Sequence, residues 1–549
     1  MADKPQLQPQ MLPGNSSSAL LKHGSILSLL TLASRIMGLL REMTKAALLG
    51  TSALSDAFSV AFMIPNLFRR LFAEGSIAVA FIPTFKEYLL REDNGKDDDE
   101  RSAARKELRE FLNSIFTFLT FFVTLAVMIG ILAMPLVIPF FGMEEPDETV
   151  LLTRIMFPFL AFISIAALFQ GILNSLRIFT PSGAAPVVLN IVTILCAYGL
   201  SPFVSNPARA MALGILTGGF LEAAVQLPFV LKKGYHFFFT SLKRALKNPG
   251  TRKVLRLIGP TIIGMAAYQL NDVVSTALAG NAGAGVVSSL QYSLRLQELI
   301  LGVFAVSIGT VLLPDLTEDA KTGRWEQYNR RLISAMDIIA LITIPITFFA
   351  LAQGENLIRL LFQTRSFNEM SVKLTMSAFR FHMPGLFFIA LNRILAPAFY
   401  AQSDSKSPTI SGIISFVINM ILAALLAGPF AGSGIAFALT AASAANTALL
   451  LAFLTRNKHI AVGRALRSAL LYTFKLGLFS VAASVPVVLL NSRLNAFFAG
   501  HGRLVSSGLP LAVSALLFAA AGIALLIISG DKQVKAVARI IRRKNHKGE

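Results

Sequence analysis

Charged side chains inside an apolar stretch near the start of the chain are the first sign of chemistry in this sequence. Residues 66–83 read NLFRRLFAEGSIAVAFIP, where Arg69 and Arg70 are adjacent and Glu74 follows Arg70 by one helical turn. A charge inside a membrane helix costs at least about 2.5–3.5 kcal/mol, so such residues should face a partner or a water-filled cavity. The i, i+4 spacing predicts that Arg70 pairs with Glu74. Arg69 is then predicted to be offered to an anionic ligand.

Other charged residues in apolar segments follow the same pattern. Ser34 and Arg41 are seven residues apart and share one helix face. Arg295 and Glu298 are three residues apart and can pair. Arginines outnumber acids in this central set, and the planar guanidinium fork suits the oxygens of a diphosphate or a carboxylate. For Arg70 and Glu74, the alternative stays open that the ion pair only locks helices together.

Membrane helices must position these residues. The chain has 549 residues, of which 54% are hydrophobic and 15% are charged. Apolar runs of about 20 residues, the length that crosses about 30 Å of hydrocarbon, recur along nearly the whole chain. The alternating ten-residue segments of a barrel are missing from the sequence. We therefore predict an all-α polytopic membrane protein of about fourteen transmembrane helices. The predicted spans are 25–49, 54–86, 113–141, 149–176, 184–204, 208–231, 253–279, 284–313, 332–352, 371–401, 409–428, 433–455, 466–490 and 505–529.

The net charge of +20 follows the predicted loops, which argues against a nucleic-acid partner. Lysine and arginine cluster in the loops after spans two, six and twelve and in the tail. The loops on the opposite side, GTSALSD, GMEEPDET, GNAGAG and GPFAGSG, have almost none. This positive-inside pattern predicts a multi-pass membrane protein with both termini in the cytoplasm. The basic tail is interpreted as a topology signal that also attracts anionic membrane lipids.

A weak internal repeat divides the predicted spans into two halves. The motif Pro-x-x-x-Glu occurs at Pro83–Glu87 and again at Pro314–Glu318, 231 residues later. Polar motifs that end at Pro181 and Pro408 are separated by a similar 227 residues. Since the period contains six spans, the halves should be parallel, as in rocking transporters. The predicted regions are a disordered cytoplasmic N-terminus 1–24, an N-lobe 25–231, a cytoplasmic linker 232–252, a C-lobe 253–455, two extra C-terminal spans 466–529 and a basic tail 530–549.

The sequence lacks the usual signatures of enzymes. It contains no P-loop, no GxSxG and no nucleotide fingerprint, its six histidines are scattered, and Cys196 is the single cysteine. The acidic run DDDE at 97–100 is the nearest thing to a metal motif, and we interpret it as a solvated loop. We therefore predict that the chain is not an enzyme and has no cofactor.

Four motifs resemble those of a known family. They are SRIMGLLRE at 34–42, SDAF at 55–58, NLFRRLFAEG at 66–75 and LAPAFY at 395–400. Along essentially its whole length, the chain resembles the MurJ (MviN) family, the bacterial lipid II flippases of the multidrug/oligosaccharidyl-lipid/polysaccharide exporter superfamily. The resemblance implies two six-helix lobes around a cationic central cavity for the lipid diphosphate and sugars. It also implies that spans thirteen and fourteen form a groove for the polyprenyl tail.

The resemblance also implies roles for individual residues. The chain departs from the family pattern at Leu294, where relatives often have an acidic residue. This leaves Glu298 as the candidate partner of Arg295. Some relatives bind sodium between spans seven and eleven, for which Asp272 and Asp404 are the candidates here. By resemblance, the substrate-binding residues are Ser34, Arg35, Arg41, Arg69 and Arg295, and the gate or charge-partner residues are Asp56, Arg70, Glu74 and Glu298.

The expected function is the transfer of lipid II from the cytoplasmic to the outer leaflet by alternating access. Sodium, a proton or the membrane potential would reset the cycle. The expected partners are lipid II and membrane lipids, for a monomer that could also contact cell-wall synthesis proteins. One alternative is another exporter of the superfamily, either a polysaccharide-lipid flippase or a cation-coupled drug antiporter, although an antiporter pocket should be acidic. The others are a membrane enzyme acting on polyprenyl phosphates and a scaffold, which would leave the buried arginines unexplained.

Overall fold

The computed structural model describes residues 16–71, 80–531, 533 and 535, and every regular element in these ranges is helical. Short 3-10 turns at Ile138–Phe141 and Ser201–Phe203 and a π-helical turn at Leu504–Gly508 supplement the α-helices. The α-helices are α1 (Ser16–Leu49), α2 (Ala53–Arg69), α3 (Ile82–Asp93), α4 (Asp98–Val137), α5 (Pro146–Met156), α6 (Phe159–Ser175), α7 (Thr180–Gly199), α8 (Pro207–Lys232), α9 (Leu242–Lys247), α10 (Pro249–Gly280), α11 (Val286–Lys321), α12 (Trp325–Phe362), α13 (Glu369–Ala401), α14 (Lys406–Leu454), α15 (Val462–Phe497) and α16 (Leu509–Ile528).

Nine helical segments within the described ranges are long and apolar enough to cross a membrane, judged by length and composition. The prediction of an all-α membrane protein is therefore confirmed. The predicted spans without such a segment coincide with α1, α2, α10 and α11. The nine segments are Asp98–Phe141, Pro146–Ser175, Thr180–Gly199, Pro207–Lys232, Trp325–Phe362, Glu369–Ala401, Lys406–Leu454, Leu466–Phe497 and Leu504–Ile528.

Helix α14 contains two of the predicted spans, 409–428 and 433–455. Its backbone leaves the helical region at Ala431, where φ is 46° and ψ is −130°. Pro429 removes a backbone donor just before this point, which favours a break. A Cβ atom at Gly434 would lie 2.3 Å from the carbonyl oxygen of Leu426, so the close approach after the break requires glycine.

The chain forms two compact units that are each discontinuous in sequence. Unit 1 comprises residues 1–41, 62–133 and 152–265, and unit 2 comprises residues 42–61, 134–151 and 266–549. Helices α1 and α2 each contribute residues to both units. These units do not follow the boundaries of the predicted lobes, whose division at 232–252 stays a prediction.

The core of unit 1 is rich in aromatic side chains. Phe81 stacks on Phe85 and on Phe111, with ring centroids 5.4 and 5.8 Å apart, and Tyr88 stacks on Phe111 at 4.9 Å. Gly250 at the start of α10 packs against this cluster, since a Cβ atom there would lie 2.5 Å from the Phe111 ring. The stacked rings join α3, α4 and α10 at one end of the unit.

Unit 2 contains a larger aliphatic core formed mainly by α11, α12 and α13. Helix α15 is attached to α12 by side-chain amides: Asn356 donates to Asn491 at 3.1 Å and to Asn495 at 3.3 Å. In its first half, α15 is also tied to the segment that follows α16, because Lys475 pairs with the buried Asp531 at 2.7 Å. Polar ties between membrane helices fix neighbours where apolar packing alone does not select a partner.

The two Pro-x-x-x-Glu motifs of the internal repeat make similar contacts. In unit 1, Glu87 on α3 pairs with Lys253 on α10, with Nζ and Oε1 2.6 Å apart. In unit 2, Glu318 near the end of α11 pairs with Arg324 at 2.5 Å. The repeated glutamate is therefore an ion-pair acceptor near a helix end in both halves of the repeat.

Candidate functional site

Asp56 lies in the first turn of α2 and is only 4% exposed. Its Oδ2 accepts the backbone N–H of Gly285 and its Oδ1 accepts that of Ser288, both at 2.7 Å. These N–H groups belong to the start of α11, where they have no acceptor within the helix and where the helix dipole favours an anion. Gly285 has a φ of 80°, and a Cβ atom there would lie 2.4 Å from the carbonyl oxygen of Thr51. Asp56 therefore caps α11 and holds the start of α2 against it.

Lys45 lies beside this cap and is 3% exposed. Its Nζ donates to Oγ of Ser59 at 2.6 Å and to Oε1 of Gln291 at 3.0 Å, and it lies 4.8 Å from the ring centroid of Tyr292. Tyr292 in turn donates to the carbonyl oxygen of Gly50 at 3.1 Å. A buried cation and a buried anion thus stand close together where α1, α2 and α11 meet in unit 2, which reduces the cost of burying either charge.

Arg295 lies two turns further along α11. Its Nη1 is 3.3 Å from Oε2 of Glu298, and the two side chains are 29% and 58% exposed. The predicted pairing is therefore confirmed, as a loose ion pair. The Nε of Arg295 is buried and has no hydrogen-bond acceptor among the described residues. Because nearly all buried donors in proteins are satisfied, this unused N–H makes Arg295 a candidate for binding a ligand oxygen.

The turn of α11 that carries Arg295 is fixed against α13. Oγ of Ser293 shares a hydrogen bond of 2.7 Å with Nδ1 of His382, and Gln297 donates to the carbonyl oxygen of His382. His382 is 1% exposed and Ser293 is fully buried. With a partner on each side, the backbone of Arg295 is held in place while its guanidinium reaches a more open face.

The other predicted binding residues belong to unit 1, where all of them are half-buried. The guanidinium carbon of Arg41 lies 5.3 Å from the ring centroid of Phe62. The Nε of Arg69 donates to Oδ1 of Asn66 at 2.8 Å. Ser34 and Arg35 lie on α1, each about two helical turns before Arg41. Unit 1 thus holds four of the five predicted binding residues, and Arg295 belongs to unit 2.

Comparisons with known proteins decide the family. The family model described as "Lipid II flippase MurJ" matches residues 45–506. A "Probable lipid II flippase MurJ" of Treponema pallidum is 45% identical over 527 residues, which cover 96% of this chain and 99% of the relative. The chain belongs to the MurJ family. A second relative of the same description, from Vibrio cholerae, is 32% identical over 447 residues and covers 79% of this chain and 82% of its own length.

Solved structures support the MurJ fold. The structure titled "Lipid II flippase MurJ, inward closed conformation" has a TM-score of 0.74 at 24% identity, and the match covers 92% of this chain and 99% of that one. An inward-facing multidrug resistance MATE family transporter of the MOP superfamily has a TM-score of 0.60 at 13% identity, over 79% of this chain and 96% of its own. At these identities the likeness shows a common fold and nothing about substrate.

One predicted pair of this MurJ-family chain cannot be placed. Arg70 begins a short stretch of wider π-helical backbone after α2, and Glu74 lies outside the described residues. The Arg70–Glu74 ion pair therefore stays a prediction. Pro65 lies inside α2, five residues before the α-helical winding changes.

The two sodium candidates lie at different levels of unit 2. Asp404 accepts the backbone N–H groups of Lys406 and Ser407 at 2.9 and 3.0 Å, so it caps the start of α14. Asn271, next to Asp272, accepts a hydrogen bond from Asn419 at 2.6 Å. Asn419 is thirteen residues after the start of α14, which is about 20 Å of helix. The two carboxylates therefore do not form a joint site in this conformation, and each stays a separate candidate.

The acidic run at 97–100 takes part in the start of α4. Asp97 accepts the backbone N–H of Glu100 at 2.7 Å, and Glu100 accepts the backbone N–H of Lys96 at 2.8 Å. Asp97 is therefore the N-cap of α4, and Glu100 adds a bond to the residue before it. In the described ranges, no group of three or more His, Cys, Asp or Glu residues is placed to hold a metal ion.

Two residues of the Asp56 site had no predicted role. Lys45 is one of several charged residues within the first predicted span, and Tyr292 is one of many aromatic residues in the sequence. Their contacts join residues 237 to 246 positions apart, such as Lys45 with Gln291 and Ser55 with Tyr292. The signal that was available is the opposite charge of Lys45 and Asp56 in consecutive apolar spans, a pattern typical of buried partners.

Proposed function

We propose that this chain moves lipid II from the cytoplasmic to the outer leaflet of the bacterial cytoplasmic membrane by alternating access. Membership of the MurJ family supports the substrate, since both curated relatives described above are named as probable lipid II flippases. The observation that carries the binding mechanism is the buried Nε of Arg295, which has no acceptor in the described part of the chain. A lipid diphosphate supplies several acceptor oxygens that a guanidinium can bind at once.

In this proposal, the arginines bind the diphosphate and no bond is made or broken. The proposed ligands are Arg35, Arg41 and Arg69, with the hydroxyl of Ser34, in unit 1 and Arg295 in unit 2. Phe62 contacts the guanidinium of Arg41 and Asn66 accepts a hydrogen bond from Arg69, and these contacts help to orient the two side chains. The sugars and diphosphate would travel through the cationic cavity while the polyprenyl tail stays in lipid.

We propose that Asp56 is a latch on the outer side of the cycle. A carboxylate that caps a helix with two N–H bonds is strong enough to hold two helices together and can be released as a unit. Lys45, buried nearby, would offset part of the cost of burying the Asp56 carboxylate when the latch is closed. When α2 and α11 separate, both charges would become hydrated, which lowers the cost of opening.

The tail of the substrate is assigned to α15 and α16. Both helices expose apolar side chains, among them Phe474 at 68%, Leu489 at 70% and Leu516 at 74%. The Lys475–Asp531 pair and the Asn356–Asn491 bond fix α15 at two points along its length. An apolar surface on a helix that is held in place suits a long polyprenyl chain, which binds through its area and not through specific contacts.

For the reset of the cycle, we propose a cation or the membrane potential. Of the two candidates, we propose Asp272 as the cation ligand, because both carboxylate oxygens of Asp404 accept hydrogen bonds at the start of α14. The orientation proposed is the positive-inside one, with both termini in the cytoplasm. We propose a monomer that works next to cell-wall synthesis proteins.

The decisive experiment replaces the cell's own flippase with this chain. Cells depleted of their flippase should accumulate lipid II on the cytoplasmic leaflet, and expression of this chain should restore its appearance on the outer leaflet. The control is the triple variant Arg41→Ala, Arg69→Ala and Arg295→Ala, checked by blot for normal abundance. If the chain fails to restore lipid II outside, or if the triple variant restores it fully, the proposed substrate or the proposed binding site is wrong.

A further inference from the structure

The segment between α8 and α9 exposes an unusual pair of aromatic side chains. Residues 235–240, YHFFFT, are not helical. Tyr235, Phe237 and Thr240 are half-buried against unit 1, whereas Phe238 and Phe239 are 68% and 70% exposed. Two adjacent phenylalanines in a connecting segment would normally turn inward in a water-soluble region.

Specific contacts fix this segment along α4. The backbone N–H of Phe238 donates to Oδ1 of Asn113 at 2.9 Å, and that of Thr240 donates to Oγ1 of Thr117 at 3.0 Å. The ring of Phe237 lies 5.1 Å from that of Phe116 and 5.3 Å from that of Phe169. The exposure of Phe238 and Phe239 is therefore a built feature of the fold.

The composition of α4 places this segment at the expected boundary between water and lipid. Helix α4 carries charges up to Glu110 and has no charged residue from residue 111 to its end. Asn113 and Thr117 lie in the first turns of the apolar part. Phe121, one turn after Thr117, is 48% exposed on the part of α4 that is long and apolar enough to span a membrane. Phe238 and Phe239 thus lie next to the lipid-facing surface at its polar edge.

The same connection is strongly basic. Residues 232–256 contain eight Lys and Arg residues and no Asp or Glu. Of the acids at the end of α3, Glu92 is paired with Arg105 at 2.7 Å. The basic residues on either side of the two phenylalanines are all exposed: Lys232, Lys233, Lys243, Arg244 and Lys247.

We propose that residues 232–247 form a binding surface for anionic phospholipid. Phe238 and Phe239 insert at the boundary between headgroups and acyl chains, and the flanking cations bind the headgroup phosphates. Aromatic side chains favour this depth of the bilayer, and cations near it attract anionic lipids. The surface tethers the connection between α8 and α10 to the membrane.

The test places a fluorophore at the surface. Trp325 is the single tryptophan, so Phe238→Trp in a Trp325→Phe background reports only this position. The protein is reconstituted in nanodiscs of equal parts phosphatidylcholine and phosphatidylglycerol, with bromine on the acyl chains of one lipid or the other. Brominated phosphatidylglycerol should quench the tryptophan more strongly, with a local preference of roughly fivefold or more, the contribution of about one basic residue at an anionic surface.

Two matched variants separate the surface from general charge. Lys232→Gln, Lys233→Gln, Lys243→Gln and Arg244→Gln together should remove the preference, while Lys96→Gln with Lys106→Gln, which lie on the polar side of Asn113, should keep it. Thermal unfolding of each variant in detergent confirms that it is folded. Equal quenching by the two brominated lipids in the parent protein overturns the selectivity for anionic lipid. Absence of quenching by either lipid overturns insertion itself.

Discussion

Asp56 and Arg295 are both charged residues of unit 2 that were predicted to act in transport, and their surroundings are opposite. Each oxygen of the Asp56 carboxylate accepts a backbone N–H at 2.7 Å, and the side chain is almost fully buried. Arg295 makes a loose 3.3 Å pair with an exposed glutamate, and its buried Nε has no acceptor within the described ranges. Both oxygens of the Asp56 carboxylate thus accept hydrogen bonds from the protein itself, whereas the Arg295 guanidinium retains an unused donor.

The difference distinguishes a residue that stabilises a conformation from a residue that can bind a substrate. A group whose hydrogen bonds are all made within the chain can stabilise a conformation, but it has no capacity for a substrate. A group with an unused buried donor costs stability until a ligand supplies the acceptor. Substitutions at the two positions should therefore affect different measurements: abundance and conformation at Asp56, and affinity for the lipid at Arg295.

The largest effect is expected for Asp56→Ala. The change leaves two buried N–H groups of Gly285 and Ser288 without an acceptor, at a cost of roughly 1–3 kcal/mol for each. We expect loss of growth support in cells depleted of their own flippase, with reduced protein on the blot. Asp56→Asn keeps one acceptor oxygen and should be intermediate. If Asp56→Ala supports normal growth at normal abundance, the cap on α11 has no part in transport.

The next largest effect is expected for Arg295→Ala. The variant should insert and fold normally, because removing a charge from an apolar segment eases insertion. Loss of hydrogen bonds to a charged group costs roughly 1.5–3 kcal/mol, so lipid II should bind about 10- to 100-fold more weakly to the purified protein. Arg295→Lys keeps the charge without the fork and should recover only part of the affinity.

The matched control for Arg295 is Arg330 on α12. Arg330 also pairs with a glutamate of its own helix, Glu326 at 2.9 Å, and both side chains are well exposed. Arg330→Ala should leave lipid II affinity unchanged. Equal affinities for Arg295→Ala and Arg330→Ala would show that the unused donor does not bind the diphosphate.

A smaller effect of opposite sign is expected for Glu298→Gln. The carboxylate competes with the substrate for Arg295, but an exposed pair contributes only about 0–1 kcal/mol. Lipid II should therefore bind equally well or up to roughly fivefold more tightly. A loss as large as that of Arg295→Ala would mean that Glu298 is needed to orient the guanidinium, and the comparison with Asp56 would then need revision.

Local patterns were enough to predict the helices and the short-range pair. Apolar runs about 20 residues long predicted most spans, and the turn residues GPFAGSG predicted the break that occurs at Ala431. The i, i+3 spacing predicted the Arg295–Glu298 pair. The prediction placed the end of the second span at residue 86, whereas α3 runs from Ile82 to Asp93. Hydropathy loses its signal there, because α3 is amphipathic and packs an aromatic face on unit 1.

Contacts between distant residues could not be derived from those patterns. Asp56 reaches N–H groups 229 and 232 residues away, and backbone donors have no sequence signature. The resemblance to the MurJ family pointed to Asp56 near a gate, but the physical reason is that the buried first N–H groups of α11 have no acceptor within the helix. The role of Asp404 was missed for a related reason, since capping depends on where α14 begins and not on the acidic residue alone.

The smallest effect is expected at Asp404. Asp404→Ala removes the cap of α14 and should lower the free energy of unfolding by about 1 kcal/mol, whereas Asn caps equally well, so Asp404→Asn should be neutral. Neither change should alter the sodium dependence of transport, because Asp404 lies about 20 Å of helix from the polar cluster at Asn271 and Asn419. Asp272→Asn is the comparison variant, measured as lipid II transfer in vesicles with and without a sodium gradient. A change in sodium dependence at Asp404→Asn would show that α14 is capped differently when the cation binds.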